Sequence, residues 1–500
     1  MSEKAKKGFK MPSSYTVLMI IIAIMAVLTW IIPAGQYDAD KSGNLITGTY
    51  KTVAQNPQGI WDVLMAPIRA MLGKEPTSAA IDVAFFILMV GGFLGVVNET
   101  GALDVGIASI VKKYKGREKM LILVLMPLFA LGGSTYGMGE ETMAFYPLLV
   151  PVMMAVGFDS LTAVAIILLG SQIGCLASTL NPFATGIASA TAGVGTGDGI
   201  VLRLIFFVVM TALGTYFVYR YADKIQKDPT KSLVYSHREE DLKHFNVDAV
   251  ANVESTLSKK QKQVLVLFVL TFVLMIMSFI PWTDLNVHVF ENLNKWLVGI
   301  PVIGKIVGTS TSALGTWYFP EGAMLFAVMG IIIGFVYRMK EDRFITVFIN
   351  GAADLLGVAL IVAVARGIQV IMNDGMITAT ILHWGEVGLK GLSSQVFIVL
   401  TYIFYLPMSF LIPSTSGLAS ATMGIMAPLG KFVNVPASLI ITAYQSASGL
   451  LNLVTPTSGI VMGALALGRI DLGTWWKFVA KLVAGIFVVS ILLLILGTFL

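Results

Sequence analysis

The sequence predicts an all-α polytopic membrane protein made of two inverted-topology repeats, each with a re-entrant helical hairpin and a discontinuous transmembrane helix. Three observations predict it. Hydrophobic residues fill 56% of the 500 positions and charged residues only 13%, about half the roughly 25% of soluble domains. So few charges cannot cover a soluble surface. The long charge-poor stretches carry Gly, Pro, Ser and Thr at their middles, which reads as interrupted rather than straight helices. Short motifs also recur in the same order in the two halves.

Composition excludes a disordered chain, a collagenous chain and an ordinary cytosolic enzyme; the mean hydropathy is +0.81. The single cysteine, Cys175, excludes an intramolecular disulfide and any cysteine-based zinc or iron–sulfur site. His237, His244, His288 and His383 are scattered and form no metal cluster. No metal or cofactor is expected. The net charge of +5 is read as a topology signal rather than a nucleic-acid signature.

The elements follow in order. A basic tail precedes the apolar run Val17–Ile32, which ends in Pro33-Ala34-Gly35 without a cleavage site and reads as an uncleaved first transmembrane helix. The first repeat is placed at 1–222, with its hairpin at about 119–157 and its broken helix at about 160–195. A mixed-sign cytosolic linker is placed at 223–261, and a connecting transmembrane helix with an outer loop at 262–320. The second repeat is placed at 321–500, with its hairpin at about 395–432 and its broken helix at about 436–468. With the N-terminus in the cytosol, the segments on that side hold 23 Lys and Arg and the opposite segments hold 8, as the positive-inside rule requires.

The repeat is visible in three blocks. Ser134-Thr135-Tyr136-Gly137, Thr142-Met143 and Pro147-Leu148 match Ser414-Thr415-Ser416-Gly417, Thr422-Met423 and Pro428-Leu429. Gln172, Asn181-Pro182, Gly186-Ile187 and Asp198 match Gln445, Thr455-Pro456, Gly459-Ile460 and Asp471. Val97-Asn98-Glu99 echoes Met372-Asn373-Asp374. On the charge-based orientation the two hairpins open to opposite sides, the plan of secondary transporters.

The chemistry is expected at the hairpin tips and helix breaks. Ser134, Thr135, Gly137 and Thr142 at one tip face Ser414, Thr415, Ser416 and Gly417 at the other, where free N–H groups and helix dipoles suit an anion. Asn181, Thr455, Thr457 and Ser458 are expected to complete a midplane cavity. The plainer alternative is helix packing by small residues. Glu140 and Glu141 are the sharpest anomaly, because an acid among apolar runs is costly and functional by default. Adjacent helical residues point about 100° apart, so one glutamate is expected to face the cavity while the other meets Arg366, backbone or water. Arg366 itself is expected to pair with a glutamate, with substrate-carboxylate binding as the alternative. Asp198 and Asp471 are expected to cap helices. Two other motifs fail. Gly299-x-x-x-x-Gly304-Lys305 lacks the hydroxyl residue of a phosphate loop, with Ile306 in its place, and the Gly195-Thr196-Gly197-Asp198 signature of intramembrane aspartyl proteases lacks a second aspartate.

The segments KGFKMPSSYTVLMI (7–20), GGSTYGMGEETMAFYPLL (132–149) and LIPSTSGLASATMGIMAPL (411–429) resemble the YfcC/ArcD-type basic amino acid antiporters, relatives of the anaerobic C4-dicarboxylate carriers. The resemblance covers nearly the whole chain. It implies the ion-transporter superfamily fold and arginine/ornithine exchange supporting arginine breakdown. The Ser-Asn-Thr signature of sodium–dicarboxylate carriers is absent, which puts a sodium site in doubt. The expectation is a non-enzymatic antiporter of the bacterial cytoplasmic membrane. Its partners are arginine, ornithine and the lipid bilayer, with no nucleic acid, and it is compatible with a homodimer. A sodium- or proton-coupled dicarboxylate carrier is the first alternative and an intramembrane protease the second.

Overall fold

The computed structural model describes residues 14–41, 45–73, 79–103, 105–106, 116–245, 247, 257–280, 282–283, 287–308 and 310–499. The basic tail up to residue 13 and most of the linker stretch 246–256 lie outside the described residues. Helices dominate, and the only paired strands among the described residues are β1 (Gly35–Gln36) and β2 (Lys51–Thr52), antiparallel with Gly35 opposite Thr52.

The first half runs through α1 (Ser14–Ile31), α2 (Ile60–Leu72) and α3 (Ile81–Glu99). Then α4 (Met120–Tyr136) turns through a 3₁₀ segment (Glu140–Phe145) into α5 (Tyr146–Ala155), and α6 (Ser160–Leu176) stops and resumes as α7 (Ile187–Ala192) before α8 (Ile200–Lys227). Beyond the linker come α9 (Lys259–Phe279), α10 (Phe319–Tyr337), α11 (Glu341–Asp354), α12 (Leu356–Asp374) and α13 (Ile377–Gly388). The chain ends with α14 (Ser394–Leu411), α15 (Thr415–Phe432), α16 (Ala437–Leu451), α17 (Gly459–Leu467) and α18 (Leu472–Gly497). Seven of these helices, α3, α8, α9, α10, α12, α14 and α18, are long and apolar enough to cross a membrane. In the most hydropathic window of α18 only 28% of residues are buried, so most of its apolar surface is left to face lipid.

Glycines let helices approach at backbone distance. A Cβ on Gly133 would lie 2.0 Å from the Ser171 carbonyl and one on Gly174 2.0 Å from the Ala130 carbonyl, so α4 and α6 touch along their backbones. Gly91 and Gly351 do the same for α3 and α11, where a Cβ on either would lie under 2.5 Å from the other's carbonyl. The Gly91-x-x-x-Gly95 spacing is thus a small-residue packing seam.

A helix that stops inside an apolar body leaves backbone groups that must find partners. After α6, Thr179 and Leu180 donate their N–H groups to the Ser134 carbonyl at 2.9 and 3.2 Å. Asn181 Oδ1 accepts from the Phe183 and Ala184 N–H groups. The buried Arg203 of α8 donates to the carbonyls of Thr179, Thr196 and Asp198. After α16, the indoles of Trp475 and Trp476 on α18 donate to the Leu453 and Val454 carbonyls, each at 2.8 Å. In each half, side chains from the start of the next long helix seal the break. Asp471 caps α18 as expected, accepting from the Thr474 N–H at 2.8 Å. Asp198 does not cap a helix: its carboxylate accepts from the Gly195 N–H within the preceding turn, and Gly199 holds the cap position of α8.

Both ends of the molecule are fastened by buried carboxylates. Asp159 caps α6 through the Thr162 N–H and also accepts from Tyr221 at 2.7 Å and Ser232 at 2.6 Å, which docks the start of the linker. At the β-hairpin end, Glu386 on α13 accepts from Tyr37 at 2.7 Å and from the Gly48 N–H at 3.0 Å, with His383 at 3.2 Å. Burial alone pushes the Glu386 carboxyl up, but the hydrogen bonds from Tyr37, His383 and Gly48, with Lys390, hold it below its usual 4.5.

Two outcomes follow. Arg203→Leu strips three carbonyls of their donor and is expected to lower stability by about 2–4 kcal/mol, read as a lower Tm of the detergent-purified protein. A carboxyl with a lowered pKa contributes stability above its unfolded value and loses it as pH falls through the folded one. Limited proteolysis within the 38–50 segment is therefore expected to be flat across neutral pH and to accelerate only below pH 4.5.

Candidate functional site

The left-handed Gly137 (φ 80°) ends α4 and aims the chain across the break after α6. A Cβ there would lie 2.5 Å from Asn181 Oδ1, so only glycine fits. The turn delivers Gly139, Glu140 and Glu141 to a cavity of about 630 Å³. From the other half come Pro413, Ser414, Thr415 and Ser416 before and at the start of α15, and Asn452, Thr457, Ser458, Gly459 and Ile460 around the break after α16. Val362, Ala365 and Arg366 of α12 form one wall, and Asp82 of α3 with Tyr318 and Glu321 at the start of α10 another.

Ten of the fifteen expected residues line this cavity: Gly137, Glu140, Glu141, Asn181, Arg366, Ser414, Thr415, Ser416, Thr457 and Ser458. Five do not, each for a visible reason. Ser134 is buried and spends its hydroxyl on the Ala177 carbonyl at 2.8 Å, holding the break in place. Thr135 turns back to the Leu131 carbonyl and Thr142 to the Gly139 carbonyl. Gly417 is the third residue of α15 and gives its N–H to Ser414 Oγ. Thr455 is buried and pairs with Thr457 at 2.8 Å.

The two glutamates differ in burial but both line the cavity, and they open a 3₁₀ segment rather than the α-helix that the expected 100° offset assumed. Glu141 is buried and accepts from the Gly139 N–H at 2.8 Å, so the first tip is capped by its own carboxylate. Glu140 is partly exposed and its charge acts on Arg366, as does that of Asp82. Arg366 anchors to backbone, donating to the Ala79 carbonyl at 2.6 Å, so its guanidinium is held beside the glutamates rather than on them alone.

The second tip is differently built. Ser414 caps α15, and Tyr444 holds the tip by donating to the Thr415 carbonyl at 2.6 Å. Ser458 precedes α17 without a side-chain cap, which leaves the first-turn N–H groups of α17 facing the cavity. An anion is favoured at such a terminus.

Sequence reasoning missed Asp82, Glu321, Gln172 and Asn452 as cavity residues. Asp82 and Glu321 stood at the edges of apolar runs, where charges read as span boundaries. Gln172 was visible as half of a repeated pair with Gln445, and that pairing was the available signal. Asn452 carried none. The lining thus presents four carboxylates, Asp82, Glu140, Glu141 and Glu321, against one guanidinium.

Residues 11–499 match the family described as DcuC, C4-dicarboxylate anaerobic carrier. An uncharacterized protein of Haemophilus influenzae is 31% identical over 539 aligned residues, spanning 99% of this chain and 98% of its own length. An Escherichia coli K12 protein, YfcC, whose name carries a provisional basic amino acid antiporter assignment, is 28% identical over 97% of this chain and 96% of its own. Among solved structures, MtrF of Neisseria gonorrhoeae, from a class of antimetabolite efflux pumps, aligns over 98% of this chain and 95% of its own with 17% identity and a TM-score of 0.45. The YdaH transporter of Alcanivorax borkumensis aligns over 97% and 98% with 16% identity and a TM-score of 0.45.

Cys175, the chain's one cysteine, lines the same cavity and reports its field without mutation. A cationic methanethiosulfonate is expected to modify it about tenfold faster than an anionic reagent of similar size, read by mass spectrometry, with the difference shrinking at high salt.

Proposed function

The chain belongs to the C4-dicarboxylate anaerobic carrier family and is a membrane transporter; from that premise we propose that it exchanges cationic amino acids, arginine for ornithine. The observation that carries this reading is the cavity's acidic lining, four carboxyl side chains to one guanidinium. A dianion entering that lining meets net repulsion, whereas a side-chain cation is drawn to it. The substrate's α-carboxylate goes to the second tip and the start of α17, because the first tip already holds the Glu141 carboxylate. The side-chain cation goes to Glu140 and Asp82.

Obligatory exchange follows from the same charges. An empty cavity leaves its acidic lining with Arg366 as the one opposing charge, which raises the barrier to reorientation. Either cationic substrate removes that penalty, so the carrier returns loaded. The chain reads as two inverted repeats, 1–222 and 321–500. The segments α4–α5 and α14–α15 are the re-entrant hairpins, and α6–α7 and α16–α17 the discontinuous helices, moving together against the remaining helices. The Lys and Arg distribution supports a cytosolic N-terminus in a bacterial cytoplasmic membrane.

The rival reading is a C4-dicarboxylate carrier, favoured by the family's description and by Arg366 in the cavity wall. Arginine/ornithine counterflow in proteoliposomes decides between them. Arginine influx is expected only with ornithine or arginine inside, with no competition from succinate. Glu140→Gln is expected to cut exchange at least tenfold. Succinate counterflow with arginine ignored, or normal arginine exchange by Glu140→Gln, would overturn the reading.

A further inference from the structure

We propose that Gln172 and Asn452 form an amide subsite for the amino-acid head of the substrate, Gln172 donating to the α-carboxylate and Asn452 accepting from the α-ammonium. The inference deepens the cationic amino acid reading and rests on it.

The argument starts where the two interrupted helices meet. Leu176, the last residue of α6, packs on Gly449 of α16, where a Cβ would lie 2.4 Å from the Leu176 Cα. Gln445 stands one turn before Gly449 and reaches across to the opposite break. Its Nε2 donates to the Ser178 carbonyl at 2.7 Å and its Oε1 accepts from Thr185 at 3.0 Å. Gln172 stands likewise one turn before Leu176 in α6, and Asn452 directly follows α16, near the place that Ser178 holds two residues after α6. This second crossing is not closed. Gln172 Nε2 and Asn452 Oδ1 have no hydrogen-bond partner among the described residues. Yet Gln172 is 1% exposed, Asn452 is 5% exposed, and both line the cavity.

Neighbouring amides show what a structural role looks like. Asn181 spends Nδ2 on Ser178 and Oδ1 on two backbone N–H groups. The same chemistry therefore seals one crossing and leaves the other without a protein partner at the cavity wall. Buried polar atoms need partners, and the cavity that both residues line is where one can enter. An unpaired donor and an unpaired acceptor call for a ligand carrying one acceptor and one donor. An α-amino acid head is such a group: an acceptor carboxylate and a donor ammonium. Asn452 also begins the break whose far end presents the open first-turn N–H groups of α17, so carboxylate and ammonium have adjacent partners. An ionised dicarboxylate offers acceptors only and leaves Asn452 Oδ1 facing an anion. Recognition of this kind is specific because an analogue lacking the hydrogen-bonding group leaves the site's own group unpaired.

The test is competition against arginine counterflow by two truncated analogues, des-amino arginine (no α-ammonium) and agmatine (no α-carboxylate). The wild type is expected to prefer arginine over each by about tenfold to a hundredfold. Asn452→Leu should erase the preference over des-amino arginine and keep that over agmatine; Gln172→Leu should do the reverse. Asn452→Asp keeps an acceptor and should keep the α-ammonium preference. Gln172→Glu replaces the donor by an acceptor and should lose the carboxylate preference, so the subsite stays testable if a leucine variant fails to fold. Unaltered preferences in these variants, with arginine still exchanged, overturn the subsite alone. Absence of arginine exchange in the wild type overturns the functional reading and the subsite with it.

Discussion

A helix that ends in an apolar interior must find partners for its last carbonyls and first amides, and the molecule is organised around meeting that requirement twice. After α6 the carbonyls are held by Arg203 and by Gln445, and the amides by Ser134 and Asn181. After α16 the indoles of Trp475 and Trp476 take the carbonyls. The interruptions are therefore rigid, supported features. Where a partner is withheld, at the start of α17 and at Gln172 and Asn452, the residues concerned line one cavity. Other buried polar atoms also lack a partner among the described residues, Arg203 Nε and Tyr146 Oη among them, but Gln172 and Asn452 differ in lining the cavity from the two facing breaks.

Charge follows the same economy. Carboxylates at the periphery, Asp159 and Glu386, are consumed by hydrogen bonds that fasten the linker and the β-hairpin. Those around the cavity are not neutralised in number: four acids stand beside one guanidinium. Glu141 is the intermediate case, serving as both a backbone cap and a wall charge. Holding the Glu141 carboxyl at the first tip also breaks the likeness of the two tips.

Much of this was legible in the sequence. The STxG motifs, the Gln172/Gln445 pair and the two X-Pro breaks located the interruptions, because Gly, Pro and hydroxyl residues act through local backbone geometry. Glu140, Glu141 and Arg366 stood out because charge amid apolar residues is conspicuous. Other features were not legible, for physical reasons. Whether Ser134 or Ser414 faces the cavity depends on which carbonyl lies opposite, a tertiary fact. Arg203, Trp475 and Trp476 act on segments some twenty residues earlier in the chain, and a buried arginine at the start of a span looks like a boundary charge. Asp82 and Glu321 were disguised in the same way. Asp198 resembled Asp471 in the repeat, yet Gly199 takes the cap and sends its carboxylate into the turn.

The central claim is that the acidic cavity selects a positively charged amino acid. Thermal unfolding of the purified protein, titrated in parallel with arginine, ornithine and succinate, tests it most directly, since a ligand that binds the folded state raises Tm with its concentration. Arginine and ornithine are predicted to raise Tm in a saturable manner while succinate leaves it unmoved; stabilisation by succinate with no response to either cation would contradict the account.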